Sequence, residues 1–236
     1  GAVVTWGMGG AGGDSTAVRE QLGSGVLQIF SATRAFAAVK EGGAVVTWGH
    51  RDSGGDSTAV REQLGSGVLQ IFSATRAFAA VKEGGAVVTW GMGGAGGDST
   101  AVREQLGSGV LQIFSTGAAF AALKEGGAVV TWGSGPWGGD STAVREQLGS
   151  GVLQIFSATR AFAAVKEGGA VVTWGPSDEG GDSTAVREQL GSGVLQIFST
   201  EAAFAALKEG GAVVTWGSGP WGGDSTAVRE QLGSGV

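Results

Sequence analysis

Short apolar runs separated by glycine-rich polar stretches recur along the whole chain. In the first complete set, residues 26–30, 35–40 and 44–48 are such runs, each five or six residues long. This length favours strands, because isolated helices so short are unstable in water. Residues 41–43, Glu-Gly-Gly, are typical of a hairpin turn. The pattern therefore predicts a three-stranded antiparallel meander.

The segment that precedes the first strand has a different pattern. In residues 14–22, Val18 and Leu22 are four positions apart and would share one face of a helix. Asp14 suits an N-terminal cap, and Gly23 lies where a helix would end. We predict a two-turn helix that packs its Val/Leu edge on the sheet.

This block is repeated with a fixed period. Gly-Ala-Val-Val-Thr-Trp-Gly begins every 42 residues, at Gly1, Gly43, Gly85, Gly127, Gly169 and Gly211. Self-similarity at such a period is typical of propellers, solenoids and arrays. The sequence thus predicts a mainly β fold with short helices, organised as a single repeat array over residues 1–236 whose last unit is incomplete. The 48 glycines among 236 residues follow from this repetition.

The five complete copies differ mainly in two windows. The loop window is the four residues after each Trp-Gly: 8–11, 50–53, 92–95, 134–137, 176–179 and 218–221. The turn window is the three residues between the first two strands: 32–34, 74–76, 116–118, 158–160 and 200–202. Because the first and third strands run in the same direction, both windows lie at one edge of the sheet. We call the surface that they form the variable face.

Charge and composition exclude several classes of function. The net charge is −6 and the isoelectric point is about 4.8, which argues against a nucleic-acid partner. No apolar run is long enough to span a membrane, so we expect no membrane insertion. The absence of Cys excludes a disulfide framework and thiolate metal sites. Because the charges of the two windows cancel, the invariant frame carries the whole negative charge.

Two motifs imitate catalytic or cofactor sites. Residues 7–12 read G-x-G-x-x-G, but residues 49–54 and 175–180 lack the middle glycine, so a structural turn explains the motif better. A nucleophilic Ser15 would need a base, and His50 is the only histidine for six copies. We therefore expect no enzyme activity, no cofactor and no metal.

The candidates for partner binding lie in the windows. Trp137 and Trp221 stand outside the recurring Trp-Gly motif, and an exposed aromatic side chain is a frequent binding anchor. Packing of these two rings against neighbouring loops is the alternative. The candidate residues are Trp137, Trp221, His50, Arg51, Arg34, Arg76, Arg160 and Glu201. The recurring tryptophans are instead predicted to be core residues: Trp6, Trp48, Trp90, Trp132, Trp174 and Trp216.

The repeat resembles that of a known family. Residues 110–113, 120–123 and 129–133 are similar, in order and spacing, to the tandem repeat of the regulator of chromosome condensation family. They look closest to its three-stranded-blade variant, found in a secreted bacterial β-lactamase inhibitor protein. The resemblance implies a β-propeller of radially packed blades, usually seven. The expected blades are residues 26–49, 68–91, 110–133, 152–175 and 194–217. An open β/α solenoid or filament is the alternative.

The expected function is that of a non-enzymatic scaffold whose variable face binds a protein partner. Self-association into a structural filament is one alternative. An engineered or recently amplified repeat without a selected activity is the other.

Overall fold

The computed structural model describes residues 1–233, in which the strands form five three-stranded antiparallel sheets, one in each complete repeat. Within each sheet the strand order follows the chain. The strands are β1 Val26–Ser31, β2 Ala35–Lys40, β3 Val45–Gly49, β4 Val68–Ser73, β5 Ala77–Lys82, β6 Val87–Gly91, β7 Val110–Ser115, β8 Ala119–Lys124, β9 Val129–Gly133, β10 Val152–Ser157, β11 Phe162–Lys166, β12 Val171–Trp174, β13 Val194–Ser199, β14 Ala203–Lys208 and β15 Val213–Gly217. The predicted meander is therefore confirmed in every complete repeat.

Short helical turns connect these strands. The hairpin turns between the second and third strands are Glu41–Gly43, Glu83–Gly85, Glu125–Gly127, Glu167–Gly169 and Glu209–Gly211. The loop windows contain 3₁₀ turns at Gly9–Ala11, Arg51–Ser53, Gly93–Ala95, Gly135–Trp137, Ser177–Glu179 and Gly219–Trp221. The connectors contain 3₁₀ turns at Thr16–Val18, Thr58–Val60, Thr100–Val102, Thr142–Val144, Thr184–Val186 and Thr226–Val228.

The connector between blades is less regular than the predicted two-turn helix. A single α-helical turn follows the 3₁₀ turn in the first and last copies, as α1 Arg19–Leu22 and α2 Arg229–Leu232. In the intervening copies hydrogen-bonded turns take its place, so the two-turn helix is wrong there. Leu64, 2% exposed, still packs on the sheet as the Val/Leu spacing predicted.

The register of the sheet brings the two windows together. Ser31 lies opposite Phe36, and Ala35 lies opposite Gly49. The turn window thus joins β1 to β2 at the edge where β3 ends and the loop window begins. The prediction that both windows share one edge of the blade is confirmed.

Consecutive sheets pack face to face through a shared core. Between the first two sheets, Phe78 and Trp90 stack at a centroid distance of 5.2 Å, against Ala35 and Ala37 of the preceding sheet. The Trp90 indole donates a hydrogen bond from Nε1 to the Gly54 carbonyl at 3.0 Å. The frame tryptophans of the five sheets are therefore structural, as predicted.

The glycine that follows the loop window is required by this packing. Gly54 has a φ of +94°, and a Cβ there would lie 2.5 Å from Cδ2 of Phe78. Only glycine satisfies both the left-handed backbone and the close approach of the ring. The last glycine of the dinucleotide-like motif therefore has a structural role, since Gly12 meets the ring of Phe36 in the same way.

The first tryptophan departs from its predicted role. Trp6 is 84% exposed, whereas Trp48 is 5% exposed. Residues 2–6 have the same sequence as the third strand of each sheet but are not paired in a sheet, although Val3 donates its N–H to the Leu22 carbonyl at 3.0 Å. Trp48 is buried because it stacks on Phe36, and no such stack is described for Trp6 within residues 1–233.

Candidate functional site

The variable face is assembled by backbone hydrogen bonds within each blade. The His50 N–H donates to the Arg34 carbonyl at 2.7 Å, and the Met92 N–H donates to the Arg76 carbonyl at 2.9 Å. The equivalent bonds run from Ser134 N–H to the Ala118 carbonyl and from Ser218 N–H to the Ala202 carbonyl, whereas Pro176 of the fourth blade has no N–H to donate.

A second set of hydrogen bonds joins neighbouring blades through their turn windows. The bonds are Thr33 N–H to Thr75 O at 3.0 Å, Thr75 N–H to Gly117 O at 3.0 Å, Gly117 N–H to Thr159 O at 2.8 Å and Thr159 N–H to Glu201 O at 2.9 Å. Backbones joined in this way lie about 5 Å apart, the spacing of paired strands. The five turn windows therefore form one continuous row, and equivalent side chains recur along it once per blade.

Trp137 is held against the turn window of its own blade. The Thr116 hydroxyl donates to the Trp137 carbonyl at 2.7 Å. The indole lies over Gly117, where a Cβ would be 2.5 Å from Cζ3 of the ring. The ring is partly buried and packs against the core. This agrees in part with the alternative interpretation, in which the two loop tryptophans pack against their neighbours instead of binding a partner.

The next blade completes this cluster with Arg160. Its guanidinium carbon lies 4.8 Å from the centroid of the Trp137 ring. Its Nη1 is 2.8 Å from Oε1 of Glu179, whose side chain is 17% exposed. A turn-window arginine thus lies between the loop of the preceding blade, which supplies the ring, and the loop of its own blade, which supplies the carboxylate.

Arg34 and Arg76 occupy the equivalent position on the first two blades and have different neighbours. Both are exposed, and within residues 1–233 neither has a carboxylate oxygen within 4.0 Å. Arg76 donates from Nη1 to the sulfur of Met92, at 3.3 Å. Small residues stand where Arg160 has its partners: Ala11 and Ser53 beside Arg34, and Ser53 and Ala95 beside Arg76.

The loop after the first blade contains two buried polar atoms without a partner. Ser53 is 1% exposed and its hydroxyl makes no hydrogen bond, and the same is true of Nδ1 of His50. Arg51 is exposed and pairs through Nε with Asp56, 3.3 Å away. These residues lie between the two unpaired arginines.

The last two candidate residues lie together on the fifth blade. Trp221 is 48% exposed, and its carbonyl accepts a hydrogen bond from the Thr200 hydroxyl at 2.9 Å. Glu201 occupies the position of Gly117 and is exposed. That any of the eight candidate residues binds a partner stays a prediction.

The aspartates with shifted pKa values lie on the connectors. In Asp140 the pKa is lowered because the Thr142 hydroxyl and then the Thr142 N–H donate to the carboxylate. In Asp56 the corresponding Thr58 bonds lower the pKa, and Arg51 adds a smaller effect in the same direction. An aspartate is ionised at neutral pH even at its ordinary pKa, and lowering the pKa moves these groups further from proton transfer near neutral pH, which suits a role in closing the turn.

We did not predict from the sequence that the loop window and the turn window of a blade contact each other, although the sequence contains a signal for this contact. The two blades that are followed by a Gly-Pro-Trp loop window also have Thr and Ala in the turn window, and Leu in place of Val in the second strand. The residues concerned are Thr116, Ala118 and Leu123, and Thr200, Ala202 and Leu207. Changes that occur together in this way indicate contact.

Comparison with known proteins finds structures with a similar fold but no related sequence. No protein-family profile and no curated protein matches the sequence. Prp20p from Saccharomyces cerevisiae, described with its binding to Gsp1p and histones, is 17% identical, with a TM-score of 0.50 over 81% of this chain and 57% of Prp20p. Human WBSCR16 is 18% identical, with a TM-score of 0.48 over 81% of this chain and 61% of its own. The yeast RCC1 (Prp20) bound to Kap60 is 16% identical, with a TM-score of 0.49 over 81% and 56%.

The likeness to Prp20p shows an RCC1-like β-propeller fold. The chain spans about three fifths of the length of these proteins. No helix within residues 1–233 is long and apolar enough to cross a membrane.

Proposed function

We propose that this chain is a non-enzymatic scaffold whose variable face binds a protein partner. The observation that carries the proposal is that the residues that differ between copies lie apart from the residues that are the same in every copy. The windows that differ between copies lie at one edge of the blades, and the hydrogen-bonded row of turn windows presents their side chains at fixed intervals. Such an arrangement holds different recognition residues on a rigid support.

The fold supports this proposal. Prp20p, which shares the RCC1-like propeller fold, is described as binding Gsp1p and histones. We infer a comparable use for this chain, with a partner of its own. We also infer that its repeats belong to the three-stranded-blade variant, since each described sheet has three strands.

The distribution of chemistry supports a binding function over catalysis. His50 is the only histidine, and it occurs in one of six loop windows. The shifted carboxylates belong to connector turns, where their threonine bonds explain the shift. Side chains that vary between copies suit recognition of different features of a partner better than one repeated reaction.

A selection experiment tests the proposal without knowledge of the partner. A random peptide library displayed on phage is selected against the chain, and hydrogen exchange of the bound and free chain then maps each ligand. We expect protection of amides in the loop and turn windows. Protection confined to the connectors or to the Glu-Gly-Gly turns would show that the binding surface lies elsewhere.

A further inference from the structure

Consecutive blades pack through two different faces. Where the first two blades meet, the first contributes Ala35, Ala37 and Val39, and the second contributes Ile71, Phe78 and Val88. We call the first set and its equivalents the trailing face of a blade, and the second set and its equivalents the leading face. The same contact recurs between all neighbouring blades, so the structure shows four times what covers each face.

The leading face of the first blade has no other blade against it within residues 1–233. Its own connector covers part of it through Leu22. Ile29 is nevertheless 43% exposed, whereas Ile71, the same residue of the second blade, is 2% exposed. Likewise Phe36 is partly exposed and Phe78 is fully buried. Because the two blades have the same residues on this face, the missing neighbour accounts for the exposure.

The trailing face of the fifth blade is open in the complementary way. Phe198 is 54% exposed, whereas Phe30, the same residue of the first blade, is partly buried against the second blade. A Cβ on Gly222 would have no atom within 4 Å, but one on Gly54 would lie 2.5 Å from the ring of Phe78. This end of the array therefore lacks the side chains that a leading face supplies.

The rims of the two open faces carry matching hydrogen-bonding groups. Where the first two blades meet, Thr33 N–H donates to Thr75 O at 3.0 Å and the Ser73 hydroxyl donates to Ser31 O at 2.8 Å. The equivalent pairs of groups at the open ends are Glu201 N–H with Thr33 O, and the Ser31 hydroxyl with Ser199 O. Each end thus offers what the other end needs for a contact of the same kind.

A contact between blades has a place for one third strand and one connector. Residues 1–22 precede the first blade, and residues 211–232 follow the second strand of the fifth blade. The two segments are identical outside the loop window, so both would take the same place between the first and fifth blades. One of them must therefore give way when these two faces meet.

Residues 2–6 already lie where a third strand lies. The Val3 N–H donates to the Leu22 carbonyl at 3.0 Å, as the Val45 N–H of β3 donates to the Leu64 carbonyl at 2.9 Å. The other edge of residues 2–6, which in β3 pairs with β2, pairs with no strand within residues 1–233. An unpaired edge of this kind is a template for pairing with another chain.

We propose that copies of this chain join head to tail, with the leading face of the first blade of one copy against the trailing face of the fifth blade of another. Residues 2–6 of the first copy pair with β14 of the second in place of β15, and Trp6 stacks on Phe204 as Trp216 does in the single chain. Because Gly1–Gly7 and Gly211–Gly217 have the same sequence, strand pairing is conserved and the burial of the two apolar faces is gained.

This contact is heterologous, so every assembly keeps one leading and one trailing face open until a ring closes. The two windows lie at one edge of the blades, so head-to-tail joining leaves the variable face accessible. The proposed assembly therefore goes beyond the proposed function and does not depend on it.

Sedimentation velocity of the full chain over a wide range of concentrations tests the proposal. Moderate salt screens the repulsion between chains of net charge −6. We expect a 23.3 kDa monomer at low concentration, and dimers and larger species as the concentration rises. Monomers at every concentration would overturn the proposal, whether the faces stay open or meet within one chain.

Two variants each place a carboxylate in one face. Ile29→Glu alters the leading face and Phe198→Glu the trailing face, at positions that are exposed in the single chain. Each should weaken association about a hundredfold, since the contact would bury an unpaired charge. Leu27→Glu is the matched control on β1, because its equivalent Leu69 is still 62% exposed between two blades. An equal loss in Leu27→Glu would show that the faces are not involved.

A mixture of the two face variants tests the direction of the contact. Ile29→Glu keeps an intact trailing face, and Phe198→Glu keeps an intact leading face. At a concentration where each variant alone is monomeric, the mixture should form dimers and no larger species. An absence of dimers in the mixture would overturn head-to-tail joining.

Trp6→Ala tests the strand exchange. Trp6 is 84% exposed in the single chain, so circular dichroism and thermal melting of the monomer should not change. Association should weaken about tenfold, because the stack on Phe204 is lost. Unchanged association would show that residues 2–6 do not replace β15. If the chain stays monomeric but library ligands protect the variable face, the proposed function stands and this assembly fails.

Discussion

Trp137 and Trp221 occupy identical loops and have different surroundings. Both follow Ser-Gly-Pro, and both carbonyls accept a hydrogen bond from a turn-window threonine, at 2.7 and 2.9 Å. Yet Trp137 is partly buried and packs against the core, whereas Trp221 is exposed, with 48% of its surface accessible. The difference lies in the neighbours, because Trp137 has Gly117 beneath it and Arg160 over it, while Trp221 has Glu201 at the equivalent position.

This contrast shows what determines the role of a loop residue in the array. The loop sequence fixes the backbone, but the turn windows of its own blade and of the next blade decide whether the ring is covered. Whether a residue of a loop window is free to bind a partner must therefore be judged together with the adjacent turn windows, and not from the loop alone.

Replacing one of the recurring tryptophans that end the third strands should give the largest loss of stability, with which the loss at either loop tryptophan can be compared. Trp132 is 4% exposed, stacks on Phe120 at 5.2 Å and donates to the Gly96 carbonyl at 3.0 Å. We expect Trp132→Ala to reduce the free energy of unfolding by about 3–5 kcal/mol, because it leaves a cavity and an unpaired carbonyl. Urea denaturation followed by circular dichroism measures the loss. A loss no larger than that of Trp137→Ala would mean that frame and loop rings are equivalent.

Exchanging the residue beneath the ring should convert one environment into the other. In Gly117→Glu the new Cβ would lie 2.5 Å from Cζ3 of Trp137, so the ring must move away from the turn. We expect a loss of about 1–3 kcal/mol, the usual result of overpacking, and a red shift of the tryptophan emission. Glu201→Gly is the matched control and should leave stability within about 0.5 kcal/mol, since Glu201 is exposed. An unchanged emission spectrum in Gly117→Glu would contradict this account of burial.

The sequence was sufficient for the frame because the frame is local and repeated. The apolar runs, the Glu-Gly-Gly turns and the direction of the strands determine each blade, and five copies give the same answer. The connector was overpredicted because Val60 and Leu64, four residues apart, satisfy the helical spacing. A 3₁₀ turn followed by a single bond from Leu64 N–H to Val60 O, 3.1 Å long, achieves the same contact.

The roles of the window residues depended on contacts that no local pattern encodes. The burial of Trp137 requires Gly117 of its own blade and Arg160 of the next, and these are 20 and 23 residues away in the chain. Similarly, nothing in the tripeptide Ala-Thr-Arg distinguishes Arg160, which is paired, from Arg76, which is not. Only the residues of the flanking loops make that distinction.

Removing the two loop rings should separate their roles. Trp137→Ala loses the contact with Gly117 and the stacking on Arg160, so we expect it to cost about 1–2 kcal/mol. Trp221→Ala should change the free energy of unfolding by less than about 0.5 kcal/mol, because the residue is already 48% exposed in the folded chain. Melting temperatures of the two variants provide the comparison. A large drop for Trp221→Ala would identify it as a structural residue and remove it from the candidates for binding.

The contribution of the connector aspartates to stability should depend on pH in nearly the same way for Asp140, after the loop that contains Trp137, and for Asp56, after the loop that contains His50. In Asp140 and Asp56 the pKa is lowered by a threonine hydroxyl and N–H, so each carboxylate contributes stability above its ordinary pKa. That contribution is lost as the pH falls through the lowered value, because the unfolded chain binds a proton first. Asp56 has an additional cation, Arg51, at 3.3 Å, so Arg51→Ala should raise the pKa of Asp56 slightly and leave that of Asp140 unchanged. Titration of the carboxyl carbons by nuclear magnetic resonance measures both values, and an equal shift in the two would show that Arg51 acts through the net charge rather than through its contact.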